Sequence, residues 1–376
     1  MPVCLRKLLL CLAFLTAATM VSAVDGLHIK FRSRALLDAT LSGYGKESVQ
    51  GYYRLEDFRL GFKATYRQFE LKADIGYGGG KVAIKDLLLN YHFKNSVLAF
   101  GNGYEPFSMD MLISTADLRF HQSAASVLAF TDSRKLGVTY HFYHDRWYLA
   151  TGVYTHNDIN KIGDGQKNAF VSTSRLVWRK MRDDGYLIHL GGAFSFRTKE
   201  VNTDGPVTGT IDSEGVTSMF PAAMLQAEIT GMGTETKALV EVLYTAPRFM
   251  IQTEYFYDRM NRTKGETYQS HGGYIQGGFL LKGKNFEYDA MYGIPGRPVT
   301  PQAIELVARL NYTNLNDAAS GIMGGEETDL SIGINYYLNR YFAVKLDGSY
   351  VWLGDNCNTF YRENFFLAQL RVQYVF

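Results

Sequence analysis

Alternation of apolar and polar residues is the feature that most constrains what this chain can fold into. Residues 56–77 read EDFRLGFKATYRQFELKADIGY, with an apolar or aromatic residue at nearly every second position on both sides of Arg67-Gln68. Side chains of a β-strand point alternately to opposite faces, so each half predicts a strand with one apolar and one charged face. A two-residue turn at Arg67-Gln68 makes Tyr66 and Phe69 cross-strand partners. The stretch therefore predicts a β-hairpin with all its apolar side chains on one side.

The same alternation recurs along the whole chain. It is clearest in residues 87–93, 136–142, 332–338 and 366–376, and less regular in segments such as 27–39, 96–102 and 284–292. Helical periodicity is weak throughout, and the pattern gives about 16 to 18 strand candidates. The chain also contains 26 Tyr and 24 Phe, residues that favour strands. The sequence thus predicts an all-β protein.

The first residues predict a secretory signal peptide. Arg6 and Lys7 precede the mostly apolar segment 8–20, and the small residues of 21–23 suit cleavage after Ala23. The apolar segment is too short to span a bilayer as a helix. We therefore expect residues 1–23 to be removed and residues 24–376 to form one β-barrel domain.

The charge and cysteine content of the expected mature chain exclude several function classes. Without Arg6 and Lys7 the 39 basic residues fall to the number of acidic ones, 37, so no charge bias predicts nucleic-acid binding. Cys357 is the one cysteine left, which predicts neither an internal disulfide nor a cysteine-based metal site. No Gly-x-Ser-x-Gly nucleophile motif is present. We expect no cofactor, no metal and no enzymatic activity.

Two architectures are built from alternating strands, and chain length favours the membrane one. A soluble sandwich of ~100 residues uses seven to nine strands, so this chain would need several such domains, yet no linker divides it. One barrel of 16 strands leaves about 22 residues for each strand with its connection, which suits strands that cross an outer membrane. Short connections at 67–68, 94–95, 144–146 and 339–340 alternate with long polar ones, as in transmembrane barrels with short periplasmic turns and long extracellular loops. The apolar faces would then contact lipid and the charged faces would line a wet lumen.

Three patches of the chain resemble one known family, the phosphate-selective porins O and P. They are LAFGNGYEPFSMDMLISTADLRF followed by SRKLGV within 98–138, FMIQTEYFYDRM with YIQGGFLLKGKNFEYD within 249–289, and AIELVARLNYTNLND with GGEETDLSIGINYYLNRYFAVKL within 303–346. The terminal Phe376 also resembles the C-terminal aromatic signal of bacterial outer-membrane barrels. The resemblance implies a 16-stranded, homotrimeric channel in the outer membrane, whose third loop folds into the barrel; here that loop is Tyr104 to Arg134.

A channel of this kind would select solutes at its constriction, where basic side chains hold an anion. The candidates for pore-lining or constriction residues are Arg59, Lys63, Lys72, Arg119, Arg134 and Lys135. Acidic residues, among them Asp57, Glu70, Asp74 and Asp86, share the same strand faces, so the sequence leaves open whether small hydrophilic solutes in general or inorganic anions such as phosphate pass. It also leaves open a barrel that acts as an adhesin or structural anchor through its extracellular loops.

Overall fold

A computed structural model gives the structure of the chain and describes residues 26–44, 50–78, 80–161, 169–200, 207–361 and 363–376. The predicted signal peptide, residues 1–23, lies outside these ranges and stays a prediction. Within the described ranges, no helix has both the length and the apolar character needed to cross a membrane.

Sixteen antiparallel strands form one closed barrel, which confirms the predicted fold class. Neighbours in sequence are neighbours in the wall, except that two small hairpins interrupt the series, and the first strand closes the barrel by pairing with the last. The wall strands are β1 Leu27–Tyr44, β2 Gln50–Tyr66, β3 Phe69–Gly78, β4 Lys81–His92, β5 Ser96–Gly103, β6 Lys135–His144, β7 Trp147–Thr155, β8 Phe170–Met181, β9 Leu187–Arg197, β12 Met232–Ala246, β13 Phe249–Arg262, β14 Tyr268–Lys282, β17 Ala303–Asp317, β18 Ile322–Tyr337, β19 Phe342–Leu353 and β20 Phe365–Val375.

The hairpin predicted from residues 56–77 is formed by β2 and β3. Tyr66 pairs with Phe69 across a turn at Arg67-Gln68, and the register continues to Phe58 opposite Tyr77. Arg67 takes a positive φ of 54°, which lets two residues reverse the chain. The odd–even alternation of apolar and polar residues, called parity below, was therefore enough to set this register.

The outward faces of the strands carry the apolar side chains, and the inward faces carry most of the charged ones. Phe100, Phe194, Ile332 and Leu346 are each at least half exposed and lie on the outside of the wall. A transmembrane barrel needs this arrangement, because closure pairs the strand backbones and lipid solvates the apolar surface.

Two short hairpins lie inside the barrel and are not part of its wall. The upper hairpin (residues 207–231), at the end of the long loops, pairs β10 Thr208–Ser213 with β11 Leu225–Thr230. The lower hairpin (residues 283–302), at the end of the short turns, pairs β15 Phe286–Asp289 with β16 Ile294–Pro298. The strand candidate at 284–292 corresponds in part to β15, which pairs with β16 and not with the wall. Alternation predicts a strand but cannot tell which sheet it joins.

Candidate functional site

The segment 104–134, named here the inner loop, connects β5 to β6 and crosses the lumen as predicted. Its two ends are fastened to each other and to the wall. Arg134 donates to the Tyr104 hydroxyl at 2.9 Å, with its guanidinium 4.2 Å from the centre of the Tyr104 ring, and pairs with Asp86 of β4 at 2.5 Å. Lys135 donates to Glu105 at 2.7 Å. These contacts hold the loop where it leaves the wall.

The inner loop is fixed next at a short helix, Met109–Leu112, which begins against a carboxylate of the opposite wall. Glu254 of β13 accepts from the backbone N–H groups of Met109 at 2.7 Å and Asp110 at 3.1 Å, and from the Ser108 hydroxyl at 3.1 Å. The first N–H groups of a helix have no partner within it, so the carboxylate satisfies them. Burial raises the pKa of the Asp110 carboxyl.

The far end of the inner loop is held by buried side chains of β17–β19. Arg119 pairs with Glu305 at 2.9 Å, and both are almost fully buried. His121 contacts Asp347. A second short helix, Ala125–Phe130, is tied to the wall where the Ser126 hydroxyl and N–H donate to the Asn311 side chain at 2.7 and 3.1 Å.

Part of the lumen is filled by an apolar core. The upper hairpin and the second helix of the inner loop pack together there against residues of β9, β12–β14, β17, β19 and β20. Phe130 stacks on Phe256 of β13 with ring centres 5.8 Å apart, and Phe220 of the upper hairpin meets Phe365 of β20 at 5.9 Å. The expected wet lumen therefore shares the barrel interior with an apolar core that the inserted segments help to build.

The lower hairpin enters from the opposite end and is held by two arginines of β8. Arg175 donates to the carbonyls of Tyr292 and Gly293, both at 2.8 Å, while also pairing with Glu241 at 2.9 Å. Arg179 donates to the Ala290 carbonyl at 2.5 Å. The sequence suggested one inserted loop, and the described residues contain three inserted segments.

The described part of the lumen contains a cavity of about 340 Å³ beside β1–β7. Its back wall is made of small residues, including Ala99, Gly103 and Gly137. A Cβ at Gly137 would lie 2.4 Å from the Tyr154 ring and 2.5 Å from the Val153 carbonyl oxygen, so this position has no room for a side chain. One side of the cavity is lined by the charged side chains of Arg32, Arg34, Arg59, Lys72, Asp74, Asp86 and Arg134.

Two carboxylates on this charged side are each shared by two cations. Asp57 pairs with Arg34 and, at 3.2 Å, with Arg59. Asp86 pairs with Lys72 at 2.6 Å and with Arg134 at 2.5 Å. Each shared carboxylate leaves one positive charge uncompensated.

A third pair, Arg32 with Asp74 at 2.5 Å, balances in charge but not in exposure. The Arg32 side chain is 39% exposed and that of Asp74 only 3%. The cation therefore faces the open space while the carboxylate lies beneath it, and the charged side of the cavity is positive overall.

The structure brings three of the six predicted site residues to this cavity: Arg59, Lys72 and Arg134. Lys63 lies nearer the short-turn end and pairs with Glu70 at 2.7 Å. Arg119 and Lys135 do not line the cavity, since each is 2% exposed within an ion pair that fastens the inner loop.

Sequence reasoning missed Arg32 and Arg34, which also line the cavity. A signal was present, because Lys30, Arg32 and Arg34 recur at every second position of β1 and pair with the face of β2 that carries Arg59 and Lys63.

Solved outer-membrane proteins share this architecture at low sequence identity. OmpT of Vibrio cholerae is 11% identical with a TM-score of 0.61, over 95% of this chain and 100% of that one. The outer membrane channel DcaP of Acinetobacter baumannii is 10% identical with a TM-score of 0.59, over 95% and 99%. OmpF of Salmonella typhi is 14% identical with a TM-score of 0.59, over 94% and 98%. At these identities the likeness shows the barrel fold.

The sequence itself shows the family. A curated protein of Caulobacter vibrioides, described as uncharacterized, is 25% identical over 301 residues, which are 73% of this chain; the chain spans 59% of that relative's length. The family described as phosphate-selective porin O and P matches residues 21–376, nearly the whole chain. Together with the barrel, this match supports an outer-membrane channel for small solutes. The chain belongs to the phosphate-selective porin O and P family of the bacterial outer membrane.

Proposed function

We propose that the chain is a passive diffusion channel that favours small anions over cations. The observation that carries the proposal is the pair of shared carboxylates, Asp57 and Asp86, each outnumbered by the cations around it. We place the path of the solutes at the cavity beside β1–β7, where these cations lie.

The excess charge lies where it acts on a passing ion. Two unit charges 4 Å apart interact by about 4 kcal/mol at an effective dielectric constant of 20, and by about 1 kcal/mol in bulk water. A narrow passage between protein walls lies between these limits. An anion is therefore stabilised as it sheds part of its water, and a cation is repelled.

The proposed assembly is a homotrimer embedded in outer-membrane lipid, with no cofactor and no covalent chemistry. Apolar side chains on the outer wall supply surface both for lipid and for contact between copies. The Vibrio cholerae OmpT structure, whose fold is similar, was described in a trimer form. Phosphate is one candidate solute among the small anions.

Reversal potentials in a KCl gradient across a planar bilayer test the proposal. The purified protein should pass chloride more readily than potassium, and the double variant Arg59→Gln/Arg134→Gln should bring the permeability ratio close to one. Arg182→Gln, in an exposed turn, is the matched control and should leave the ratio unchanged. Replacing chloride by phosphate then ranks the two anions.

Two outcomes would contradict the proposal. A cation-selective current would remove the anion preference. Silence of well-folded protein would instead favour a barrel whose extracellular loops carry the function.

A further inference from the structure

The side of the cavity that faces the charged strands is apolar. The inner loop contributes Met111, Leu112, Ile113 and Leu118, and the lower hairpin contributes Ile294. From residue 111 to residue 123, none of the residues lining the cavity is charged. The cavity therefore has a charged side and an apolar side, which come from different parts of the chain.

The backbone of this apolar stretch is turned away from the cavity by its own hydrogen bonds. The N–H groups of Leu112 and Ile113 donate within the loop, to the carbonyls of Ser108 and Asp110. Farther on, the Thr115 carbonyl accepts from Arg371 at 3.3 Å, and the Ala116 carbonyl from Gln373 at 2.9 Å and Lys345 at 3.0 Å. These backbone groups are thus engaged within the loop or by the barrel wall. Of the apolar side chains of 111–113 that line the cavity, Met111 and Leu112 are partly exposed and Ile113 is 6% exposed.

The nearest hydroxyls of the inner loop are also engaged. Arg34 donates to the Ser114 hydroxyl at 2.8 Å and to that of Thr115 at 3.4 Å. An inorganic anion can therefore use the charged side of the cavity but gains little from the other. A solute with an anionic group on one edge and an apolar surface on the other can use both.

We propose that the channel preferentially binds and passes organic anions that carry an apolar flank, with the anionic group on the arginine side and the flank against Met111, Leu112 and Ile113. This inference rests on the proposed channel function and names the class of solute for the same site. The volume of about 340 Å³ suits one small molecule, since small-molecule sites begin at about 300 Å³.

Benzoate and acetate are suitable probes because they share a carboxylate and differ in apolar surface. About 50 Å² of additional apolar surface, removed from water at about 25 cal/mol per Å², corresponds to a roughly tenfold difference in affinity. We therefore expect benzoate to inhibit the KCl current at a roughly tenfold lower concentration than acetate. Benzyl alcohol, which has the ring without the charge, should inhibit far less than benzoate.

Substitutions on the apolar side test the assignment of the flank. Leu112→Asn should bring the ratio of the two inhibitory concentrations toward one. Leu128→Asn changes a half-buried leucine of the same loop that does not line the cavity, and it should leave the ratio unchanged. If Leu112→Asn fails to fold, Met111→Gln keeps the shape of the side chain and should lower the ratio in the same direction.

The outcomes separate the inference from the function on which it rests. Equal inhibition by benzoate and acetate in an anion-selective channel would overturn the inference alone. Equal inhibition by benzyl alcohol and benzoate would also overturn it, because the charged side would then play no part in binding. Absence of an anion-selective current would overturn the proposed function together with the inference.

Discussion

At the scale of single residues, the charge preference of the pore depends more on how its carboxylates are shared between cations than on how many carboxylates there are. Asp57, Glu70, Asp74 and Asp86 lie on the lumen face beside basic residues, and by number alone they suggest a pore without charge preference. Asp57 and Asp86 are each held between two cations, and Asp74 is covered by Arg32. Arg32 and Lys72 are more exposed, at 39% and 25%, than the carboxylates they pair with, Asp74 at 3% and Asp86 at 11%. The cations of the shared pairs also outnumber the carboxylates, so the excess charge on this face is positive.

The substitution Asp86→Asn should increase the preference for anions. It removes the negative charge shared by Lys72 and Arg134 and nearly keeps the shape of the side chain. We expect the chloride-to-potassium permeability ratio to rise roughly twofold at 0.1 M salt and less at 1 M, where charges are screened within about 3 Å. Reversal potentials at the two salt concentrations measure this, with Asp184→Asn in an exposed turn as the control. A fall in the ratio would show that Asp86 does not offset the cations of the pore.

At the scale of elements, two of the inserted segments, the inner loop and the lower hairpin, are attached to the wall in the same way. Charged side chains of the wall bind backbone groups of a segment that has few partners of its own. Glu254 binds the N–H groups at the start of a short helix, Arg175 and Arg179 bind carbonyls of the lower hairpin, and Lys345 binds carbonyls of the inner loop. Backbone groups in irregular segments must be satisfied when they are buried, and this explains why charged residues lie deep in the lumen.

The substitution Arg175→Lys should loosen the lower hairpin without removing the charge. A lysine ammonium cannot bind Glu241 and the carbonyls of Tyr292 and Gly293 in the fork geometry of a guanidinium. Because Tyr292 lines the cavity, we expect larger or noisier single-channel currents. Recordings in planar bilayers, with Arg182→Lys as the control, measure this. Currents identical to those of the parent protein would show that the hairpin is held without Arg175.

At the scale of the whole molecule, the barrel contacts lipid on its outside and water in part of its lumen, and it also encloses an apolar core. Its outer wall carries apolar side chains toward lipid, one part of its lumen is charged and open, and the other part is packed like the interior of a soluble protein. The internal core forms because the inner loop and the upper hairpin each supply an apolar face to the other. Packing inside the barrel should therefore contribute to stability in a way that lipid-facing side chains do not.

A matched pair of phenylalanine substitutions tests this contribution. Phe256→Ala removes a fully buried ring from the internal core and should lower the free energy of unfolding by about 3–5 kcal/mol. Phe194→Ala removes a lipid-facing ring, 52% exposed, and should cost clearly less because lipid refills the space. Urea unfolding in lipid vesicles measures both. Equal losses would mean that the internal core adds no more stability than the lipid contact.

The sequence located the sixteen wall strands, and it determined which of their faces point outward and the register of the β2–β3 hairpin. Each of these depends on the alternation of neighbouring side chains, a local property. That the segment 104–134 folds into the barrel was implied by the family resemblance, and the length of the segment agrees with it. For the cavity, alternation placed Arg59 and Lys72 on the lumen face and could have placed Arg32 and Arg34 there, whereas Arg134 became a candidate because the resemblance put the inserted loop at Tyr104 to Arg134.

Only the tertiary structure decided which charges face the pore and which are used to hold it together. Arg119 and its partner Glu305 are 186 positions apart, so no local pattern distinguishes this buried pair from a free arginine at a constriction. The same holds for the apolar core, whose members come from the inner loop, the upper hairpin and seven wall strands. Parity places a side chain on the inner or outer face of its strand. What it meets across the lumen depends on how the inserted segments pack there, which joins parts of the chain that are far apart in sequence.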